Sequence, residues 1–120
     1  MDAPSILYHG TAARLRPGSL IRPGRKPNFG GDSVDRNGRS VYVYATNDPD
    51  TAYWYAETLA KMVGRRFGYI YEVTPTGELL ADRQEGDFKS ASPLRVIGVY
   101  QRIDLGPRVR RSSIERLFGL

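Results

Sequence analysis

Three separate positions in the chain carry side chains suited to binding a sugar that bears a flat aromatic ring. His9 is able to donate a ring N–H to a sugar hydroxyl, and Gly10, which has no side chain, lets the backbone approach a ligand amide closely. Tyr44 and Tyr55 lie eleven residues apart, and two phenol faces about 7 Å apart sandwich a planar heteroaromatic ring. The three features together favour a pocket for a ribose with its base.

A carboxylate is the fourth element of this chemistry, and Asp82 is the candidate. A carboxylate that faces a sugar stabilises an oxocarbenium-like transition state and orients an attacking hydroxyl. Glu72, Glu78 and Glu85 are nearby rivals.

Each feature also has a purely structural interpretation. A histidine at a strand end is commonly an ordinary hydrogen-bonded residue, and most acidic side chains are merely solvated. Tyr55 falls on the apolar face of the predicted helix, and Trp54 is interpreted as a packing residue. These alternatives stay open on the sequence alone.

The elements that must position these residues are short strands and one helix, which together indicate an α+β fold. A strand over residues 6–8 leads into a tight turn at His9-Gly10, and β-branched and aromatic residues predict further strands. These cover residues 20–21, 41–44, 69–73, 79–80 and 94–103. Gly98 within the last strand indicates a bulge or a close backbone approach. Residues 26–39 predict a loop and residues 82–92 a polar segment.

The helix has clear start and stop signals. Asp48 is suited to the N-cap, Pro49 to the first helical position and Gly64 to the C-terminal stop. Apolar residues recur at steps of three and four, which predicts one continuous buried face. That face comprises Ala52, Tyr55, Ala56, Leu59, Met62 and Val63.

The bulk composition bounds the class of protein. The chain has 120 residues, which predicts a single domain over residues 1–120. With no cysteine and one histidine, we expect neither thiolate chemistry nor a metal site. No apolar run is long enough to span a bilayer and there is no secretory signal, so we expect no membrane partner and a cytoplasmic location. A net charge of +5 favours anionic partners such as a phosphorylated cofactor, a nucleic acid or an acidic protein.

The order His, Tyr, Tyr, acid on an α+β chain resembles the H-Y-[acid] ADP-ribosyltransferases, which include diphtheria toxin and the poly(ADP-ribose) polymerases. More narrowly, the chain is similar to the small rifamycin ADP-ribosyltransferases of bacteria. The similarity spans roughly residues 8 to 99. The matching stretches are Tyr8-His9-Gly10-Thr11, Pro23-Gly24-Arg25, Asn28-Phe29, Val43-Tyr44 with Thr46, Trp54, Ala56-Glu57, Tyr69-Ile70-Tyr71-Glu72-Val73, Pro75 with Gly77, and Pro93 with Val96-Ile97-Gly98.

The resemblance implies a compact fold of short, mostly antiparallel strands that form a split sheet with one main helix around an NAD cleft. It implies the catalytic residues His9, Tyr44 and Asp82, the last being five positions beyond Gly77. Gly10 would hold the nicotinamide carboxamide through its backbone.

The implied substrate NAD is expected to contact residues from the first half of the chain. They are His9, Gly10, Thr11, Arg25, Tyr44 and Tyr55. Arg25 is the first choice for the pyrophosphate among the cations Arg14, Arg16, Arg25 and Lys26.

The expected reaction is NAD-dependent transfer of ADP-ribose to a hydroxyl of a small molecule such as a rifamycin. The region 30–40 is longer than in that family, and the segment after Asp82 is shorter and lacks the family's Asp-Pro-Asn pattern. Two alternatives therefore stay open: a toxin that applies the same chemistry to protein or RNA, and a non-catalytic basic domain that binds nucleic acid.

Overall fold

The computed structural model describes residues 6–24 and 39–107. Arg25 and all but the last residue of the predicted loop 26–39 lie outside the described residues. Among the described residues, no helix has the length and apolar character needed to cross a membrane.

Seven strands and one helix make up the described part of the chain, which confirms the α+β class. In chain order they are β1 (Leu7–Thr11), β2 (Leu20–Ile21), β3 (Val43–Thr46), α1 (Pro49–Val63), β4 (Phe67–Pro75), β5 (Leu80–Ala81), β6 (Asp87–Ser90) and β7 (Leu94–Asp104). The strands form one sheet in the order β2-β7-β4-β1-β3-β6-β5, and every neighbouring pair is antiparallel.

The two halves of this sheet meet at a narrow junction between β1 and β3. β1 pairs with β4 over five residues, whereas it pairs with β3 only through Tyr8 and Thr46. The expected split of the sheet is realised in this way, with β2-β7-β4-β1 on one side and β3-β6-β5 on the other. The junction lies next to His9, so the division of the sheet falls within the candidate site.

Helix α1 begins and ends where its sequence signals predict. The Asp48 side chain accepts hydrogen bonds from the Asp50 backbone N–H at 3.0 Å and from the Thr51 hydroxyl at 2.9 Å. Gly64 adopts a left-handed conformation with φ of 69°, and its N–H reaches back to the last turn. A non-glycine residue rarely adopts this conformation, which is why the helix stops here.

The buried face of α1 is narrower than the predicted one. Ala52, Ala56 and Ala60 are fully buried, while Tyr55, Met62 and Val63 are among the exposed residues. The prediction for the latter three is wrong because α1 lies too close to the sheet for large side chains between them. Periodicity gives the direction of a helical face but not the distance to the surface that it covers.

Glycines in β1 and β4 allow this close approach. A Cβ at Gly68 would lie 2.7 Å from the Ala56 carbonyl oxygen, and a Cβ at Gly10 would overlap the Ala52 carbonyl oxygen. Backbone packs directly on backbone at both points.

Two hydrophobic cores cover the two faces of the sheet. The smaller one lies under α1 and includes Tyr8, Ile70 and Ile103. The larger one lies on the opposite face. Its buried members are Leu7, Ile21, Val43, Ala45, Tyr71, Val73, Leu94 and Val96.

Three local expectations are corrected by the structure. His9 and Gly10 lie within β1 rather than in a turn after it, because pairing with β4 continues to Thr11. Trp54 is 52% exposed, so it is not a core packing residue. Residues 87–90, expected in a polar segment, form β6, since pairing with β3 stabilises a strand whose own composition is mostly polar.

Gly98 lies between two bulges in β7, as the sequence suggested. The register of β7 with β4 shifts between Ile70 and Tyr71 and again between Glu72 and Val73, on either side of the pair formed by Glu72 and Gly98. A Cβ at Gly98 would meet nothing within 4 Å, so this glycine marks irregular pairing rather than close approach.

Replacing Gly68 by alanine tests the close packing of α1. We expect Gly68→Ala to lower the free energy of unfolding by about 1–3 kcal/mol, because the added methyl group forces the helix away from the sheet. Gly98→Ala is the matched control, with open space around the new methyl group. Urea unfolding of both variants measures the difference, and equal stabilities would contradict the packing described here.

Candidate active site

The His9 side chain connects β1 with β3 at the junction of the sheet. Its side chain is partly buried, and Nδ1 lies 2.7 Å from the backbone carbonyl oxygen of Tyr44. A carbonyl oxygen only accepts hydrogen bonds, so Nδ1 carries the hydrogen. In the neutral ring Nε2 is then an acceptor, and in the protonated ring it is a second N–H donor.

This hydrogen bond brings together two of the predicted site residues. His9 and Tyr44 are 35 positions apart in the chain. The backbone pairing of β1 with β3 is confined to Tyr8 and Thr46, so the imidazole supplies a second connection between the two strands. The orientation of the ring and the position of Tyr44 are therefore coupled.

Gly10 and Thr11 follow His9 in the same strand. Gly10 is buried against α1, which gives this glycine a packing role whatever its backbone binds. Thr11 is 1% exposed, and its hydroxyl accepts a hydrogen bond from the Ala13 N–H at 3.2 Å. The Thr11 side chain thus shapes the turn that leaves β1.

A buried phenol fixes the segment after that turn. The Tyr71 hydroxyl donates to the Ala13 carbonyl oxygen and accepts the Leu15 N–H, both at 2.7 Å. Burial raises the pKa of Tyr71, so the phenol stays neutral and keeps the proton that it donates. Arg14 and Arg16 lie exposed in and next to this fixed segment, so their backbone is held close to the end of β1.

Tyr44 and Tyr55 lie on the same side of the sheet. Tyr8 faces α1 and pairs with Thr46, so alternation along β3 puts the Tyr44 side chain on the helix side as well. Tyr55 is 38% exposed and lies in α1 next to the buried Ala56, with Trp54 edge-to-face against it at 5.0 Å between ring centroids. Tyr55 is therefore an accessible aromatic residue rather than part of the core.

Asp82 lies in the hairpin of β5 and β6, and the strand register relates this hairpin to Tyr44. Tyr44 pairs with Lys89, and Lys89 pairs with Leu80, so all three side chains share one face. Asp82 follows two residues after Leu80, and its N–H donates to the Asp87 carbonyl oxygen at 2.9 Å. With two strand spacings between β3 and β5, the Asp82 backbone lies roughly 10 Å from that of β3.

Two of the rival carboxylates lie outside this hairpin. Glu72 belongs to β4 and borders a shallow groove with Ile6 and Ile97, beyond Tyr8 from the β3 side. Glu78 precedes β5 and is exposed. Glu85 shares the hairpin turn with Asp82 but is exposed, whereas Asp82 is partly buried.

The structure adds two charged residues to this face. Asp87 accepts a hydrogen bond from the Thr46 hydroxyl at 2.9 Å, and the Lys89 ammonium lies 4.7 Å from the centroid of the Tyr42 ring. Sequence reasoning missed both because it did not predict β6. Alternation in Asp87-Phe88-Lys89-Ser90, where Phe88 packs on the larger core, was the available signal.

The family model of rifampin ADP-ribosyl transferase matches residues 7–102, which include β1 to β6 and all but the end of β7. A search of curated proteins finds no match. The matched region contains His9, Tyr44, Tyr55 and Asp82, and membership implies NAD as the substrate that supplies ADP-ribose. The chain therefore belongs to the rifampin ADP-ribosyl transferase family and is an enzyme of that family.

Proposed function

We propose that this chain uses His9, Tyr44, Tyr55 and Asp82 to transfer ADP-ribose from NAD to a hydroxyl of a rifamycin, with release of nicotinamide. The observation that carries the proposal is the hydrogen bond from His9 to the Tyr44 carbonyl, next to the hairpin that bears Asp82. It joins residues of the H-Y-[acid] pattern in a chain of the matching family.

The nicotinamide ring binds between Tyr44 and Tyr55. Both tyrosines lie on the helix side of the sheet and neither is buried, so a planar ligand can reach their side chains from solvent. Stacking on aromatic faces contributes about 0.5–1.5 kcal/mol per pair beyond the burial of area. Gly10 contributes backbone groups to the carboxamide from β1.

His9 orients the ribose. With Nδ1–H directed to Tyr44, the neutral ring offers Nε2 as an acceptor for a ribose hydroxyl. Since the same imidazole also binds the Tyr44 carbonyl, the position of the sugar is tied to the strand that carries the stacking tyrosine.

Asp82 acts on the bond that breaks. As the C1–N bond to nicotinamide lengthens, positive charge develops on the ribose, and the carboxylate stabilises that charge. The acceptor oxygen then forms a bond to C1, nicotinamide leaves with the bonding electron pair, and the hydroxyl proton passes to the carboxylate or to water.

Basic residues near β1 neutralise the pyrophosphate. Arg14 and Arg16 are exposed in the region that Tyr71 holds in place, and Arg25 remains the first choice from the sequence. The net charge of +5 favours binding of an anionic dinucleotide.

The acceptor is tested directly by mass spectrometry. Purified protein incubated with NAD and a rifamycin should give a rifamycin carrying one ADP-ribose, in step with nicotinamide release. Nicotinamide release without a modified rifamycin would contradict the acceptor but keep the NAD chemistry. Modification of protein or RNA in a cell extract would instead identify a macromolecular acceptor.

Loss of the Asp82 carboxylate should slow turnover strongly without unfolding the protein. We expect Asp82→Asn to lower kcat for nicotinamide release about 10²- to 10³-fold, the effect typical of removing one transition-state-stabilising group. Glu85→Gln removes an exposed carboxylate from the same hairpin turn and is the control. Similar kcat values for the two variants would show that Asp82 is not the acid that acts on the ribose.

The variant His9→Asn distinguishes the roles of the two ring nitrogens of His9. The asparagine amide can still donate to the Tyr44 carbonyl in place of Nδ1, but it has no group at the position of Nε2. We expect unchanged thermal unfolding and a loss of tenfold or more in kcat/KM for NAD, since a hydrogen bond contributes about 1–2 kcal/mol. Wild-type kcat/KM in this variant would rule out a role for Nε2.

A further inference from the structure

We propose that Thr46 and Asp87 are positioning residues, which fix the turn end of the Asp82 hairpin on β3 through a partly buried hydrogen bond. The inference rests on the proposed function, because it explains how Asp82 keeps its place relative to Tyr44. Hydrogen bonds around these two residues carry it, and they lie where β3, α1 and the β5–β6 hairpin meet.

A single hydroxyl connects the three elements. Thr46 is 4% exposed, and its hydroxyl accepts the Asp48 N–H at 3.1 Å. The hydroxyl has two acceptors on the hairpin, Asp87 Oδ1 at 2.9 Å and the Gly86 carbonyl oxygen at 3.3 Å, and the shorter bond is to Asp87. Thr46 ends β3, Asp48 caps α1 and Asp87 begins β6. Loss of this hydroxyl would leave a partly buried N–H and a carboxylate without their partner, which is costly in a poorly solvated place.

Backbone contacts fix the tip of the hairpin at the same point. The Asn47 N–H donates to the Gly86 carbonyl oxygen at 2.9 Å. Gly86 has φ of +89°, a conformation that residues with a side chain rarely adopt, so the turn favours glycine here. The turn of the hairpin therefore packs directly on the turn between β3 and α1.

Asp87 also fixes the backbone position of Asp82. Its carbonyl oxygen accepts the Asp82 N–H at 2.9 Å, and its own N–H donates to the Gln84 carbonyl oxygen at 3.0 Å. The Asp87 side chain is thus hydrogen-bonded to β3, while its backbone forms hydrogen bonds within the hairpin turn. A shift of Asp87 moves Asp82 with it.

Strand β3 also carries Tyr44, whose distance to Asp82 matters for the proposed chemistry. Tyr44 lies two residues before Thr46, on the same face, so the hydrogen bond from Thr46 to Asp87 adds a side-chain contact to the backbone pairing that spaces the stacking tyrosine from the carboxylate. An error of about 1 Å in the placement of a catalytic group costs up to about 100-fold in rate. A structural role alone predicts a loss of stability, whereas positioning predicts a loss of kcat.

Substitutions of Thr46 distinguish these two roles. We expect Thr46→Val to lower kcat for nicotinamide release about 10- to 100-fold, because the turn end of the hairpin loses its side-chain contact with β3 while the backbone pairing remains. The KM for NAD should change about threefold or less, a span of well under 1 kcal/mol, and Thr46→Ser should restore most of kcat. Thr76→Val is the matched control, since the Thr76 hydroxyl donates to the Pro93 carbonyl oxygen in a turn remote from Asp82.

Asp87→Ala provides the same test from the other partner, and it serves if Thr46→Val does not fold. It removes the nearer acceptor, while the Thr46 hydroxyl keeps the Asp48 N–H and the Gly86 carbonyl oxygen at 3.3 Å. We expect kcat to fall, by less than in Thr46→Val, because this longer bond to the hairpin remains. Wild-type kcat in a folded Thr46→Val or Asp87→Ala protein, equal losses in Thr46→Val and Thr46→Ser, or an equal loss in Thr76→Val would overturn the proposal.

Hydrogen exchange at the Asp82 N–H separates this inference from the proposed function. If the wild-type protein releases no nicotinamide, the proposed function is wrong, and hydrogen exchange alone tests whether Thr46 and Asp87 position Asp82. The Asp82 N–H should then exchange faster in Thr46→Val and as slowly as wild type in Thr46→Ser. Unchanged protection in Thr46→Val overturns the inference.

Discussion

The site depends on how two parts of one sheet are held together at a junction of a single residue pair. Between β1 and β3, backbone pairing is reduced to Tyr8 and Thr46, and the imidazole of His9 binds the Tyr44 carbonyl beside that pair. The strands thus separate without losing their relation to each other. A side chain replaces part of the backbone ladder here, and in the proposed function its second nitrogen and the neighbouring Tyr44 contact the ligand.

Close packing of the helix fixes the other wall of the site. Because Gly10 and Gly68 bring α1 onto the backbone of β1 and β4, the core beneath it has room only for alanines. The larger side chains of α1, Tyr55 among them, are displaced to its flanks and to solvent. An aromatic residue that periodicity assigns to the core is in this way left available to a ligand.

Much of the fold followed from local signals in the sequence. Asp48 and Gly64 gave the ends of the helix, and runs of β-branched and aromatic residues gave most of the strands, because these effects act within a few residues. Strand β6 was missed, since its stability comes from pairing with β3, more than 40 positions earlier in the chain.

The candidate residues themselves came from their types, their order and a family resemblance, while their mutual geometry came from the structure. No local pattern indicates that Thr46 binds Asp87, because neither residue is unusual in its own segment. Such long-range polar contacts hold an active site together, and they are the part that a single sequence does not reveal.

The central claim is that one dinucleotide lies against His9, Tyr44, Tyr55 and Asp82 at the same time. Intermolecular nuclear Overhauser effects from bound NAD test it most directly. The account predicts contacts from the nicotinamide protons to the rings of Tyr44 and Tyr55 and from a ribose to His9. Contacts confined to another surface, such as the groove at Ile6 and Ile97, would contradict it.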